Sequence, residues 1–528
     1  MTKRAPVVAL GFDAMEGPLV ESLVAQGRMP NLSALRARGT RAEVRSRPKG
    51  FLSMVWPTFI TGQTLGAHGW YFNKPWSRKD QRLRFVDPSW IPIEPFWNDV
   101  EKGFRMALLD VPFSTSTPTD LNGVFLGGWQ AHDDFGTISH PPGLHAELRR
   151  KFGAPAMGPE IFGPQNRRTL ERQRKEGLES LHQFARIVRD FLSRERWDLL
   201  VAVFGGSHRA AHYLWSLDEA DLSGTDEATR ARLAGARDEI YEAADRALGE
   251  VLAAVPPDGR ILVFALHGME RNPGWPEHFP AMVRHLHARG RGAAPRVGLV
   301  YRIKKALPWN WVRQVTMRLP SSIKHSLVPL WSRKMLDWSA TKFFALPVDL
   351  NGYLRVNLRG RDAAGIVDPG KEYEALIEQL SKEFLSFRDM RDGGAIVSTV
   401  ERVDDLVGKD APRRSELPDL VVRWTDRVAH GCPGLKSCYG TLALDPLAPL
   451  PSGRSGNHTP GGWLVAAGPG IAPDRTLSTV DSADLPATLL AWMGANIPDR
   501  FEGRPIPELA GYAEETLSQP AARGESSS

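Results

Sequence analysis

Cysteine is nearly missing from this chain: Cys432 and Cys438 are the only two in 528 residues. Two thiols build neither a cysteine metal site nor a disulfide framework, so stability has to come from a buried core. Long hydrophobic runs are missing as well. No stretch approaches the ~18 apolar residues that a bilayer crossing needs. The opening MTKRAPVVALGFDAME has two basic residues but neither an apolar segment of leader length nor a small-residue cleavage site. It does not read as a signal peptide, and the expected location is cytoplasmic, with reduced thiols. Acidic residues are absent from one long segment: between Ala281 and Leu336 there are twelve Lys or Arg and no Asp or Glu. That segment accounts for the net charge of +6, because the rest of the chain sets 55 basic residues against 61 acidic ones. Such an asymmetry predicts an anionic partner or surface. No helix-turn-helix or other nucleic-acid reader motif accompanies the charge, which argues against nucleic acid.

What is present is an ordinary globular balance, 42% hydrophobic and 24% charged, enough for a sizeable core. Val7–Leu10, Leu199–Phe204, Ile261–Ala265, Asp419–Trp424 and Trp463–Ala467 read as strands, and the first three are almost wholly apolar, as central strands covered on both faces must be. Helical spacing relates Leu178, Leu181, Ala185, Val188 and Leu192. It also relates Ile240, Ala244, Ala247, Val251 and Val255, and then Tyr373, Leu376, Leu380, Phe384 and Phe387. Alternation of this kind predicts a three-layer α/β/α sandwich with a mostly parallel central sheet. We expect one α/β domain over 1–515, interrupted by a loop-rich insertion at 112–169 and a basic, Trp-rich cap at 272–339. A small, polar tail at 516–528 is expected to be disordered.

Ligands of open α/β sheets lie beyond the carboxyl ends of the strands. Five residues fall there. Asp13 follows the first strand in LGFDAME. His208 and His212 follow the second in VFGGSHRAAHYLW, at i and i+4, which on a helix puts both imidazoles on one face. His267 follows the third in ILVFALHGME, and His458 lies in SGNHTPGG before another strand. A single histidine beyond a strand is more often structural than a ligand. One carboxylate and four histidines at one sheet edge instead form a plausible metal site, best suited to zinc among common ions.

These blocks resemble the nucleotide pyrophosphatase/phosphodiesterase branch of the alkaline phosphatase superfamily. The resemblance runs through FDAMEG with MPNLSALRARGT, WPTFITGQTLGAHGWYFNK, VFGGSHRAAHYLW and LHGM to SGNHTPGGWLVAAGPGI with DLPATLLAWMGANIPDRFEGRPI, covering most of the chain. It implies a hydrolase of phosphodiester or phosphoanhydride bonds, in which a metal-activated Ser or Thr attacks phosphorus in line and a covalent phospho-enzyme is then hydrolysed. The cofactor implied is a divalent metal, Zn2+, one or two per chain, and the partner an anionic phosphate ester. Carried onto this sequence, Asp13 and His267 bind the ion that activates the nucleophile, and His208, His212 and His458 bind the other. Asn73 falls on the family's asparagine that donates to a phosphoryl oxygen, which favours diesters.

The family's nucleophile usually stands nine positions before Thr61, where this chain has Leu52. Ser53 is one residue out of register and takes the role, also as a ligand of the first metal, if the loop is one residue shorter; Thr58 is the alternative. The family commonly has a carboxylate where His208 stands and another where Leu266 stands, so the aligned ligands carry one carboxylate instead of three. That leaves open one metal or two, with Glu16 or Glu270 as further sources of charge. Two alternatives accompany the hydrolase reading: a transferase passing the phosphoryl or headgroup unit to an alcohol, and a non-catalytic binding protein that has lost its metals. The segment 306–338 mixes apolar and basic residues and reads either as a cap helix packed on the body or as a lid that contacts anionic membrane.

Overall fold

The computed structural model describes residues 4–510 apart from 47–50, 52–54, 73, 85, 87–89, 115–117, 119, 131–135, 159, 161, 219, 291–335, 347–349 and 445–451. Ser53, Asn73, nearly all of the 306–338 segment and the 516–528 tail lie outside the described residues.

The strand Val7–Phe12 shows why the body has three layers. Every one of its residues is buried. Val8, Leu10 and Phe12 enter one core, with Leu200, Ala202 and Phe204 of the neighbouring strand and the helices Arg167–Arg194 and Ala236–Leu252. Val7 and Ala9 enter a second core on the opposite face, with Val201, Val203, the helix Val55–Thr61 and the helix Asp484–Met493. The period of two that points side chains to alternate faces therefore finds apolar cover on both. Fully burying each such Val, Leu or Phe is worth roughly 1.5–3 kcal/mol.

The main sheet has ten strands. Its order is Arg475–Thr476, Gly39–Arg45, Gly461–Ala467, Arg260–Ala265, Val7–Phe12, Leu199–Phe204, Met106–Leu109, Gly123–Gly127 and Ile138–His140, with Val480–Asp481 also paired to Gly39–Arg45. The pairings are parallel except those of Gly461–Ala467 and Ile138–His140 with their neighbours. This is the mostly parallel α/β/α sandwich the sequence predicts. Three adjacent parallel strands, Arg260–Ala265, Val7–Phe12 and Leu199–Phe204, end side by side, Phe12 level with Phe204 and Gly11 level with Phe264. Asp13, the helix Gly206–Leu214 with His208 and His212, and His267 follow those three ends.

Two expected boundaries are corrected. The segment 112–169 is not an insertion over the ligand edge: Gly123–Gly127 and Ile138–His140 extend the main sheet on one side, and the helix Leu144–Phe152 packs beside them. Its proline and glycine content marks short edge strands between turns. The cap expected at 272–339 is the first part of a larger lobe that runs to about 455. That lobe has its own four-stranded antiparallel sheet, in the order Phe343–Leu346, Gly352–Val356, Leu420–Trp424, Val397–Arg402. Its separate core gathers Trp275, Phe279, Leu354, Leu380 and Phe384. Asp419–Trp424 and the Tyr373–Phe387 pattern belong there and not to the main sheet. The chain leaves the body through Gly268–Arg271 and returns through Gly456–Thr459, and these two strands pair antiparallel. The run after Phe51 bridges the parts: Phe51, Leu65, Tyr71 and Trp76 share a core with Phe344, Tyr353 and Val421 of the lobe.

Candidate metal centre

Asp13 begins the site. It directly follows its strand, its backbone N–H donates to Phe204 O at 3.0 Å, and the next residue, Ala14, takes a left-handed φ of 53° that turns the chain away. Its side chain is buried with both oxygens engaged: Trp56 Nε1–H donates to Oδ1 at 2.8 Å, and His208 Nδ1 lies 2.7 Å from Oδ2. Trp56 can lie across the strand because Gly11 presents no Cβ, which would stand 3.0 Å from the indole. Trp56 was not among the residues singled out from sequence. Its only sequence signal is a tryptophan inside the WPTFITG block.

The helix Gly206–Leu214 carries His208 and His212 on one face, as their spacing predicts. Its start is held from below. Gln130 accepts the Gly205 N–H at 2.9 Å and donates to Val203 O and to Asp110, whose carboxylate also receives the backbone N–H groups of Trp129 and Gln130. Ser207 Oγ–H donates to Asp13 O at 2.9 Å, so the helix and the Asp13 turn are fixed to each other. His212 Nδ1 is 2.9 Å from Gly456 O. The strand Gly456–Thr459 can come this close because a Cβ at Gly456 would lie 2.2 Å from Ala211 O. In that strand His458 is paired with Met269.

The result is convergence. His208 Nε2 lies 3.0 Å from His212 Nε2 and 2.9 Å from His458 Nε2, and one ligand nitrogen of each of the three lies within 4.8 Å of the others. The acceptors behind the rings assign the tautomers. Asp13 fixes the proton of His208 on Nδ1, and the Gly456 carbonyl does the same for His212, so two Nε2 lone pairs face each other. Neutral imidazoles cannot hydrogen-bond in that arrangement, and a cation between them relieves the repulsion. Three imidazole nitrogens backed by a carboxylate and a carbonyl fit a divalent metal with an open fourth position. Electrostatics agree. Burial first, then Arg454 and the neighbouring imidazoles, holds His212 well below the usual histidine range. Burial first, then His267, His208 and Arg454, does the same for His458 against the opposing pull of Asp13. Both offer lone pairs at neutral pH. The His208 side chain keeps 21% exposure against 3% for Asp13 and His267, so the centre opens to solvent on the His208 side.

His267 comes to the same strand edge but not into the three-nitrogen cluster. Its Nε2 is 3.9 Å from Asp13 Oδ1, its ring stands edge-on to His458 with centroids 4.6 Å apart, and its buried Nδ1 has no hydrogen-bond partner. Burial pushes it down to about 4, with Asp13 opposing and His208 adding to the shift. Thr58 lies inside the helix Val55–Thr61, buried, its hydroxyl 3.3 Å from His68 Nε2. Glu16 braces the return hairpin, accepting Met269 N–H at 2.7 Å and the Thr459 hydroxyl at 2.9 Å. Glu270 is exposed on the strand after His267.

Sheet and cluster define the class, an α/β protein with three histidines that could hold a metal ion, gathered at the carboxyl edge of the central strands and on the strand Gly456–Thr459. The profile of the type I phosphodiesterase / nucleotide pyrophosphatase family matches residues 7–409, and the chain belongs to that family. It is by that membership an enzyme of the phosphodiesterase/pyrophosphatase type, in a family that depends on divalent metal. A comparison with curated protein sequences returned no match. Among solved structures, similar chains include phosphonoacetate hydrolase from Sinorhizobium meliloti 1021, at 16% identity and a TM-score of 0.49, covering 93% of this chain and 96% of that one. Human ectonucleotide pyrophosphatase / phosphodiesterase 5 is 10% identical with a TM-score of 0.48 over the same shares.

Proposed function

We propose that the chain hydrolyses phosphodiester or phosphoanhydride bonds with Ser53 as nucleophile and Zn2+ as cofactor. The observation that supports this most is the meeting of one ring nitrogen from each of three histidines within 4.8 Å, two of the rings with their Nδ1 protons committed elsewhere. A cation held by His208, His212 and His458 would supply positive charge to phosphoryl oxygens and ease loss of the proton from a hydroxyl nucleophile.

The chain's own residues do the rest. Ser53 Oγ attacks phosphorus, the Oγ–P bond forms as the bond to the leaving oxygen breaks, and water then cleaves the phospho-serine to restore the hydroxyl. Asn73 donates to a non-bridging oxygen; a neutral donor suits the single negative charge of a diester. Asp13, Trp56 and Ser207 keep the His208 ring fixed, and Gly456 O keeps His212. We expect the metal-loaded protein to turn over bis-p-nitrophenyl phosphate in preference to the monoester. Ser53→Ala should lower that turnover at least about 10³-fold with metal content unchanged. Full activity in Ser53→Ala would remove Ser53 from the chemistry.

A further inference from the structure

We infer that the chain holds one metal ion and not two, and that Asp13 acts through His208 as its orienting carboxylate instead of ligating an ion itself. The inference rests on the metal-dependent reading above and refines it. The resemblance assigns Asp13 to a second ion together with His267. In the structure both Asp13 oxygens already receive N–H groups, Trp56 Nε1–H on Oδ1 and His208 Nδ1–H on Oδ2. A carboxylate bonded to the far nitrogen of a ligating histidine fixes its tautomer and raises the basicity of the near one.

The remaining donors do not make a second site. Where the family commonly has a carboxylate, Leu266 is fully buried in the apolar core, and its carbonyl accepts the Ser46 hydroxyl at 2.7 Å. Glu16 is committed to Met269 and Thr459, and Glu270 is exposed. Among the described residues that leaves His267 alone beside an occupied carboxylate, facing it at 3.9 Å. Charge points the same way: one carboxylate among neutral imidazoles offsets one divalent ion in part and leaves a second strongly repelled. Replacing a carboxylate with His208 thus changes the architecture. The third imidazole completes a single site, and the first-strand aspartate moves one shell outward.

The test uses the full-length protein, stripped with chelator and titrated with Zn2+ and with Co2+, bound metal being counted by mass spectrometry and Co2+ geometry read from its visible absorption. We expect one equivalent, with the intense bands of a four-coordinate site. Asp13→Asn should still bind one equivalent, about 10–100-fold more weakly. His267→Ala should bind one equivalent within about threefold of the parent affinity, since on this inference it donates to no ion. Circular dichroism of the stripped variants checks that they fold. Two equivalents in the parent chain, or a lost equivalent in His267→Ala, overturns the one-metal inference and leaves the hydrolase reading standing. A folded parent chain that binds neither ion overturns both.

Discussion

His68 lies outside the metal cluster and shows how a buried imidazole marks the stability of the fold. Trp70 N–H donates to its Nδ1 at 3.0 Å, so its proton sits on Nε2, facing the Thr58 hydroxyl at 3.3 Å. Burial pushes its pKa down to about 3 from an ordinary 6.5. The folded-state value is depressed, so above pH 6.5 both states are neutral there and the residue costs nothing. As pH falls from 6.5 towards 3 the unfolded chain takes up a proton that the folded chain refuses, and stability is lost by about 1.4 kcal/mol per pH unit. His68→Gln keeps a donor and an acceptor at the site but cannot titrate. Urea unfolding of the metal-free protein at pH 7, 6 and 5 should show the variant's stability falling less steeply by about that amount; equal slopes would refute the assignment. The same scale separates what was legible from what was not. Asp13, His208, His212, His267 and His458 stand out from sequence because each is a ligand type just beyond an apolar run or before one. Which of them meet is a matter of rotamers and of the distance between non-local elements. That Asp13 turns its oxygens to Trp56 and His208 follows from a close approach at Gly11 that no pattern encodes.

At the scale of elements, the site depends on how closely the strand Gly456–Thr459 lies against the helix Gly206–Leu214. Gly456→Ala would drive a Cβ against the Ala211 carbonyl, at 2.2 Å before relaxation. Strand and helix must then part, stretching the His212–Gly456 hydrogen bond and opening the three-nitrogen cluster. Zinc affinity should fall at least about tenfold and stability by about 1–3 kcal/mol, read by competitive zinc titration and chemical denaturation. Unchanged zinc affinity would mean the two elements yield without moving the histidines. Elements were also the most legible part of the fold. Val7–Leu10, Leu199–Phe204 and Ile261–Ala265 announce themselves as apolar runs because parallel central strands are covered twice. Gly39–Arg45 lacks such a run: exposed Arg41, Glu43 and Arg45 alternate with buried Ala42 and Val44, the pattern of a strand covered on one face. The strand expected at Asp419–Trp424 forms as Leu420–Trp424 in the second sheet; hydrophobic pattern gives a strand's type and not its partners.

Across the whole molecule, the metal centre stands where the lobe's two connecting strands, Gly268–Arg271 and Gly456–Thr459, pair beside the helix Gly206–Leu214. The body supplies His208 and His212, while His458 stands on the strand by which the chain returns from the second lobe, and His267 stands just before the strand by which it leaves. A bound ion therefore ties the lobe's return passage to a body helix. At zinc a hundredfold above its dissociation constant the native state should gain about 2.7 kcal/mol, seen as a higher unfolding midpoint that chelator reverses and His458→Ala lacks. Hydrogen exchange should slow in Gly456–Thr459 and in Gly206–Leu214 together; protection confined to the helix would place the ion elsewhere. The lobe's extent was hidden from sequence because its strands and the Lys371–Leu385 helix carry the same periodicities as the body. The spacing of the ligands also sets an order in time. A chain emerging from the ribosome from its amino end displays His208 and His212 long before His458, and the whole lobe is made in between. Every shortened product that stops before 456 lacks the third imidazole, so the pocket can form only on a chain that has carried its lobe to completion.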